Sequence, residues 1–182
     1  MEKVTLKLKA IEATPENFAE YGQVIEPVNF NQKFGPQDAK LDFDNEIPRF
    51  YLINVEDAPL KFGKLAHHAG TTQCLGSSDS KVWYLAVAKP SVVKSEIGVN
   101  HEKAVRSACG HYYVAPAVEE VRAFKITGPK FVMMHRGTWH VGPLTREDKR
   151  VFYNLERSHT NVVDHTGYNF GKELGTFFEI ED

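Results

Sequence analysis

Apolar and polar residues alternate with a period of two through much of this chain. Val4, Leu6, Leu8 and Ala10 are separated by polar neighbours, the pattern of a strand with one face turned to a core. Further strand-like segments are read at 49–55, 60–68, 71–75, 82–88, 111–115, 121–127, 130–134, 150–156 and 176–180. Turn-rich pieces separate them, such as Gly76-Ser77-Ser78-Asp79-Ser80 and Thr127-Gly128-Pro129. One short N-terminal helix is predicted over 14–22: Thr14 caps it, Pro15 suits its first turn, Glu16 complements the dipole and Gly22 closes it. Two stretches, 29–46 and 90–110, are irregular, and loops of that length act either as rim elements or as decoration. Many short strands with hardly any helix predict an all-β fold, a small barrel or jelly roll.

Composition narrows the class. With 182 residues, 42% of them hydrophobic, one domain spanning 1–182 is expected. The net charge is −2 and no Lys/Arg cluster is long enough to follow a phosphate backbone, so nucleic acid is not an expected partner. Cys74 and Cys109 form no CxxC pair and read as free thiols of a reducing compartment. The first ten residues lack the continuous apolar run of a signal peptide, and the apolar run at 82–88 is too short to span a bilayer. A cytoplasmic protein without a membrane partner is the expectation.

Candidate chemistry concentrates in two stretches, His67-His68-Ala69-Gly70-Thr71-Thr72-Gln73 and His135-Arg136-Gly137-Thr138-Trp139-His140. Gly137 permits a tight turn, Trp139 supplies an apolar wall, and His140 then enters an apolar segment as a general base or a metal ligand. Gly70 can break the alternation, so His68 and Gln73 can face one interior. His67 points the other way and is expected at the surface. Gln73 offers a carbonyl oxygen and an amide donor to a small polar substrate or a divalent metal. Arg136 can clamp a carboxylate, although an exposed turn arginine is the commoner outcome. Arg122 and Lys125 lie on opposite faces of one strand, so at most one points inward. Glu156 reads equally as a site residue or as a local partner of Arg157. The group His159, Asp164, His165 and Tyr168 reads as a surface loop.

These motifs resemble the cupins, and more narrowly the ureidoglycolate lyase family. The resemblance rests on Phe18-x-x-Tyr21-Gly22-x-Val24-Ile25, on His68-x-x-x-Thr72-Gln73, and on Val121-Arg122-Ala123-Phe124 leading to His135-Arg136-x-x-Trp139-His140-x-x-Pro143-Leu144. It covers most of the chain. It implies a cupin-like double-stranded β-helix and cleavage of ureidoglycolate to glyoxylate and urea in purine or ureide degradation. Ala66 stands where a metal-binding cupin opens with histidine, and Gln73 where its glutamate would be. A candidate ligand set of His68, Gln73 and His140 is therefore neutral, implying at most one weakly held divalent metal and no organic cofactor. The region 90–117 is also longer than the family's usual connection.

By the same resemblance His140 would be the base, with His68 and Gln73 holding the substrate directly or through a metal. Arg122, Lys125 or Arg136 would neutralise the carboxylate of a small-molecule substrate, a choice the sequence leaves open, with His135 and Glu156 as further contacts. Trp139 and Phe124 would shape a dry wall. A homodimer is expected, because partners commonly cover the sheet edges of small cupins. The alternatives are another cupin enzyme on a small organic acid, an isomerase or a metal-dependent oxygenase, and a non-catalytic module that binds a small metabolite.

Overall fold

The computed structural model describes residues 2–93 and 103–182. The predicted alternation appears as β1 (Val4–Lys9), followed by β2 (Ile11–Glu12), β3 (Gly22–Ile25) and β4 (Pro48–Glu56). The segment predicted at 60–68 is broken at Gly63 into β5 (Lys61–Phe62) and β6 (Lys64–His67). Then come β7 (Gln73–Gly76) and β8 (Trp83–Ala88), whose six residues are all buried, as a strand covered on both faces must be. The predicted 90–110 loop contains β9 (Val92–Val93) and β10 (Ala104–Arg106), which form a small sheet with β11 (Tyr112–Val114). Its middle, 94–102, lies outside the described residues. The chain continues through β12 (Arg122–Ile126), β13 (Phe131–Met134), β14 (Trp139–His140) and β15 (Lys149–Arg157). It ends with α1 (Thr160–Val163), β16 (Thr166–Asn169), α2 (Phe170–Leu174) and β17 (Thr176–Glu181).

Two sheets face each other, one in the order β16-β6-β14-β8-β12-β2 and the other in the order β3-β13-β7-β15-β4. Trp83, Leu85 and Val87 of the first pack against Leu75, Val132 and Phe152 of the second. The outer face of the first sheet carries Tyr84, Ala86 and Ala88, which are covered by Phe62 and Phe178 of a third sheet, β1-β17-β5. This is the all-β, cupin-like architecture that the resemblance implies.

The predicted N-terminal helix is not formed. Residues 15–21 make successive turns, in which Thr14 and Asn17 cap each other's backbone N–H groups. The α-type bonds Phe18 N–H to Thr14 and Gly22 N–H to Phe18 do not continue, because Phe18 is drawn wholly into the core beside Tyr21 and Phe124. The described α-helices lie instead near the C-terminus, in a stretch the periodicity left unassigned, and a single 3₁₀ turn covers Val118–Glu120.

Gly22 is needed for close approach rather than for helix closure. A Cβ there would lie 1.8 Å from the Met133 carbonyl oxygen on the paired strand β13. Gly22→Ala is therefore expected to force β3 off its partner, at a cost of about 1–3 kcal/mol. A thermal melt checks this, and a midpoint within a degree of wild type would contradict the packing.

Candidate active site

The site occupies the polar end of the space between the two facing sheets. Along β6 the residues of one face are Lys64 and Ala66, and His68 follows in the same sense just beyond the strand. His140 pairs with Ala66 on one side and Val87 on the other, so its side chain points inward with theirs. Across the gap, Phe152, Asn154 and Glu156 alternate along β15, Tyr51 pairs with Asn154 from β4, and Gln73 begins β7. Ala66, His68, His140, Gln73, Tyr51, Asn154 and Glu156 line a recess of about 210 Å³. A second lobe of about 350 Å³ meets it at Ala66, His140, Gly142 and His165.

The backbone fixes which ring nitrogens face the recess. His68 Nδ1 lies 2.6 Å from the Asp164 carbonyl oxygen, and His140 Nδ1 lies 2.9 Å from that of Thr138. A carbonyl only accepts, so each Nδ1 donates, and Nε2 is the ring nitrogen each imidazole turns to the recess. The two rings stand 5.4 Å apart, centroid to centroid. Burial pushes the His140 imidazole down to about 3, with His68 adding to the effect and the Thr138 carbonyl opposing it. His140 is therefore a neutral acceptor at physiological pH.

The opposite wall is a hydrogen-bonded polar floor. Glu156 is 1% exposed; it accepts from the Tyr51 hydroxyl at 2.9 Å and from Gln73 Nε2 at 3.1 Å. Gln73 Nε2 also reaches Asn154 Oδ1 at 3.0 Å, while its Oε1 is buried without a protein partner. Burial and the Glu156 contact both raise the Tyr51 phenol, which therefore remains a donor.

Two further features hold the frame. Gly137 takes a φ of +79° and donates its N–H to the His68 carbonyl at 2.7 Å, joining the two histidine stretches directly. Asp164 is 3% exposed, and its carboxylate accepts from the N–H groups of Ala69 and Gly70 and pairs with Arg157. The irregular stretch 29–46 straps over the same loop, since Asp42 and Thr72 exchange backbone and side-chain hydrogen bonds.

Of the residues singled out in the sequence, His68, Gln73, His140 and Glu156 come together here. The other residues assigned there to catalysis or substrate binding do not line this recess. Trp139 precedes His140 on β14 and so faces outward, packed on His67 with its indole N–H given to Ser91. Phe124 belongs to the apolar core beside Phe18 and Tyr21. Arg122 turns its guanidinium to the Glu119 and Val121 carbonyls, and Lys125 pairs with Asp182. Arg136 is held by Asp42 and Asp44, and His135 approaches the Ala19 carbonyl in a separate groove. In each case a nearer carboxylate or carbonyl, or strand parity, takes the side chain away.

Two expectations are reversed. His67 is fully buried, because the outer face of its sheet is covered by another layer; its Nε2 shares a hydrogen bond of 2.7 Å with His111 Nε2. Asp164 is buried and anchors His68, whereas His165 is exposed as expected but lines both lobes. Tyr51, Asn154 and Asn161 were not anticipated. The first two were detectable as polar breaks in the inward alternation of β4 and β15; Asn161 and His165 sit at a corner with no periodic signal.

His68 and His140 each turn Nε2 toward the recess and Gln73 keeps Oε1 without a protein partner, so these three neutral donors are the atoms that would hold a divalent metal, and only weakly, since none of them carries charge. Among the described residues no three His, Cys, Asp or Glu side chains form a metal-holding group. Gln73 gives its Nε2 to Asn154 and Glu156, which orients the amide and leaves its Oε1 for a ligand.

Burial also keeps His67 neutral, down to about 3. The unfolded chain protonates both His67 and His140 near the ordinary 6.5, whereas the folded protein does not until about 3. Below 6.5 the unfolded state binds more protons, so stability is fully present above that value and falls as the pH drops toward 3. Urea midpoints measured across this window are expected to decline, and less steeply in His140→Gln. A midpoint independent of pH would contradict the buried neutral pair.

The family model described as ureidoglycolate lyase matches residues 5–173 of the chain. A search of the curated proteins finds no match.

Proposed function

Because the chain belongs to the ureidoglycolate lyase family, we propose that the recess between His68, His140, Gln73 and Glu156 is where it cleaves ureidoglycolate to glyoxylate and urea. The protein is an enzyme, a lyase acting on ureidoglycolate. What carries the assignment to this recess is the pair of Nε2 atoms facing an amide-rich floor.

Ureidoglycolate has one carbon bearing a hydroxyl, a carboxylate and a ureido nitrogen. The ureido N–H groups suit the acceptors Glu156 and Gln73 Oε1, and its carbonyl suits the Asn161 amide. The hydroxyl then lies against His140. Its Nε2 accepts the hydroxyl proton, the C–O bond becomes the glyoxylate carbonyl, and the C–N electron pair passes to nitrogen. The imidazolium returns the proton to that nitrogen, so urea leaves and no proton is gained or lost. Burial keeps His140 unprotonated and free to accept; it makes the ring a weaker base in the first transfer and its imidazolium a stronger acid toward the leaving nitrogen in the second. His68 turns a second Nε2 to the same side.

The test is a product assay without oxygen on racemic ureidoglycolate. Glyoxylate and urea in equal amounts are expected. Ammonia in place of urea would mean hydrolysis, and a requirement for oxygen would mean an oxygenase.

The same proposal includes a homodimer built on β4. This strand lies at a sheet edge and exposes Phe50 (64%) and Leu52 (60%) beside Val151 and Tyr153 of β15. An open edge with an apolar face is suited to a second copy related by a twofold axis. Light scattering should give twice the chain mass, and Leu52→Glu should give the monomer. A monomeric wild-type protein would remove the proposal.

A cytoplasmic role in purine or ureide nitrogen recycling completes the reading. Supporting it, Cys74 and Cys109 are both free, and burial raises the Cys74 thiol to about 12, out of reach of ready oxidation. Among the described residues no helix is long and apolar enough to cross a membrane.

A further inference from the structure

The recess floor is neutral or acidic, yet ureidoglycolate carries a carboxylate, and the arginines and lysine suggested by the sequence are engaged elsewhere. Among the described residues lining the two lobes, Lys64 is the one Lys or Arg. It shares the inward face of β6 with Ala66 and lines the outer lobe together with His140 and His165. Its side chain lies across Gly167 on the paired strand β16: a Cβ at Gly167 would stand 2.6 Å from Lys64 Cε and 3.3 Å from Nζ. A larger residue there would displace it, so the bare glycine leaves the ammonium its path toward the mouth. Burial, then His68, then the charge of Lys64 lower the His165 imidazole, in keeping with an ammonium near that ring.

We propose that Lys64 is the carboxylate-binding and specificity-determining residue of this site, selecting small 2-hydroxy acids whose carboxylate sits in the outer lobe while the ureido group enters the recess. The inference rests on the lyase reading for the identity of the substrate, but not for the binding of the carboxylate itself. Lys64 takes no part in proton transfer. It holds the acid end so that the adjoining carbinol oxygen meets His140 Nε2. An exposed ammonium at a mouth also leaves the interior free of an unpaired cation once the product has gone.

The test combines binding and kinetics. In calorimetry, wild-type protein should bind glycolate, and Lys64→Met should weaken this by about 10- to 100-fold, the usual range for a charge-assisted hydrogen bond. Glycolamide, identical but for the charge, should bind both proteins alike, and Lys64→Arg should retain most of the glycolate affinity. With ureidoglycolate, Lys64→Met should raise KM by a similar factor while kcat stays within about threefold, since uniform binding is what is lost. Failure of the wild type to bind glycolate, or equal glycolate binding by Lys64→Met, overturns the proposal. Absence of ureidoglycolate turnover by the wild type would instead count against the lyase reading, so the two failures are distinguishable.

Discussion

Replacing His140 by alanine is expected to lower kcat/KM for ureidoglycolate by about 10²- to 10⁴-fold, the usual contribution of a positioned acid–base group. The expectation follows from the ring's geometry. His140 is held through Nδ1 to Thr138, its Nε2 is bare, and burial keeps it neutral. Alanine removes the acceptor but leaves the strand pairings of β14 to Ala66 and Val87, which are made by the backbone. The variant should therefore keep its circular dichroism and a cooperative melt. His140→Gln should be nearly as slow, because an amide cannot take up and return a proton. Activity within about threefold of wild type in either folded variant would remove His140 from the proton path.

The second large effect is expected at a residue that never touches substrate. Asp164 accepts from the N–H groups of Ala69 and Gly70 and pairs with the buried Arg157, while its own carbonyl orients His68. Asp164→Asn sets an amide donor against one N–H and a guanidinium and leaves Arg157 without a buried counter-charge. A loss of about 3–5 kcal/mol is expected in denaturant titration, the range for breaking a buried ion pair. Catalysis should fall as well, because the loop from Ala69 to Thr72 carries His68 on one side and Gln73 on the other. A variant within 0.5 kcal/mol of wild type, a typical surface change, would show that Asp164 is not the loop's anchor.

The architecture was largely legible because two-residue alternation is a local property. The segments read at 82–88 and 150–156 appear as β8 and β15 with ends shifted by one residue. The helix expected at 14–22 failed for a reason that capping rules do not see: Thr14 does cap, but Phe18 gains more from the core than a helical turn would return. In the site, His68, Gln73 and His140 were found because unusual side chains stood beside a glycine able to turn the chain. The carboxylate partner was sought among arginines and lysines near those motifs, and tertiary neighbours had already claimed them: Asp42 for Arg136 and Asp182 for Lys125. His67 was placed at the surface by correct parity and an incorrect layer count, since a strand covered on both faces has no exposed side. His165 stood out only by the composition of its stretch, with no periodic signal. It reaches both lobes from a corner that only the fold brings to the mouth.

The most direct test of the account is a crystal structure of His140→Ala with ureidoglycolate bound, the slow variant preserving the substrate. The ureido group is expected over Glu156 and Gln73, the carbinol oxygen beside the space left by the imidazole, and the carboxylate toward Lys64. Substrate held instead in the separate groove between His135 and Lys40, with the recess left to water, would contradict it.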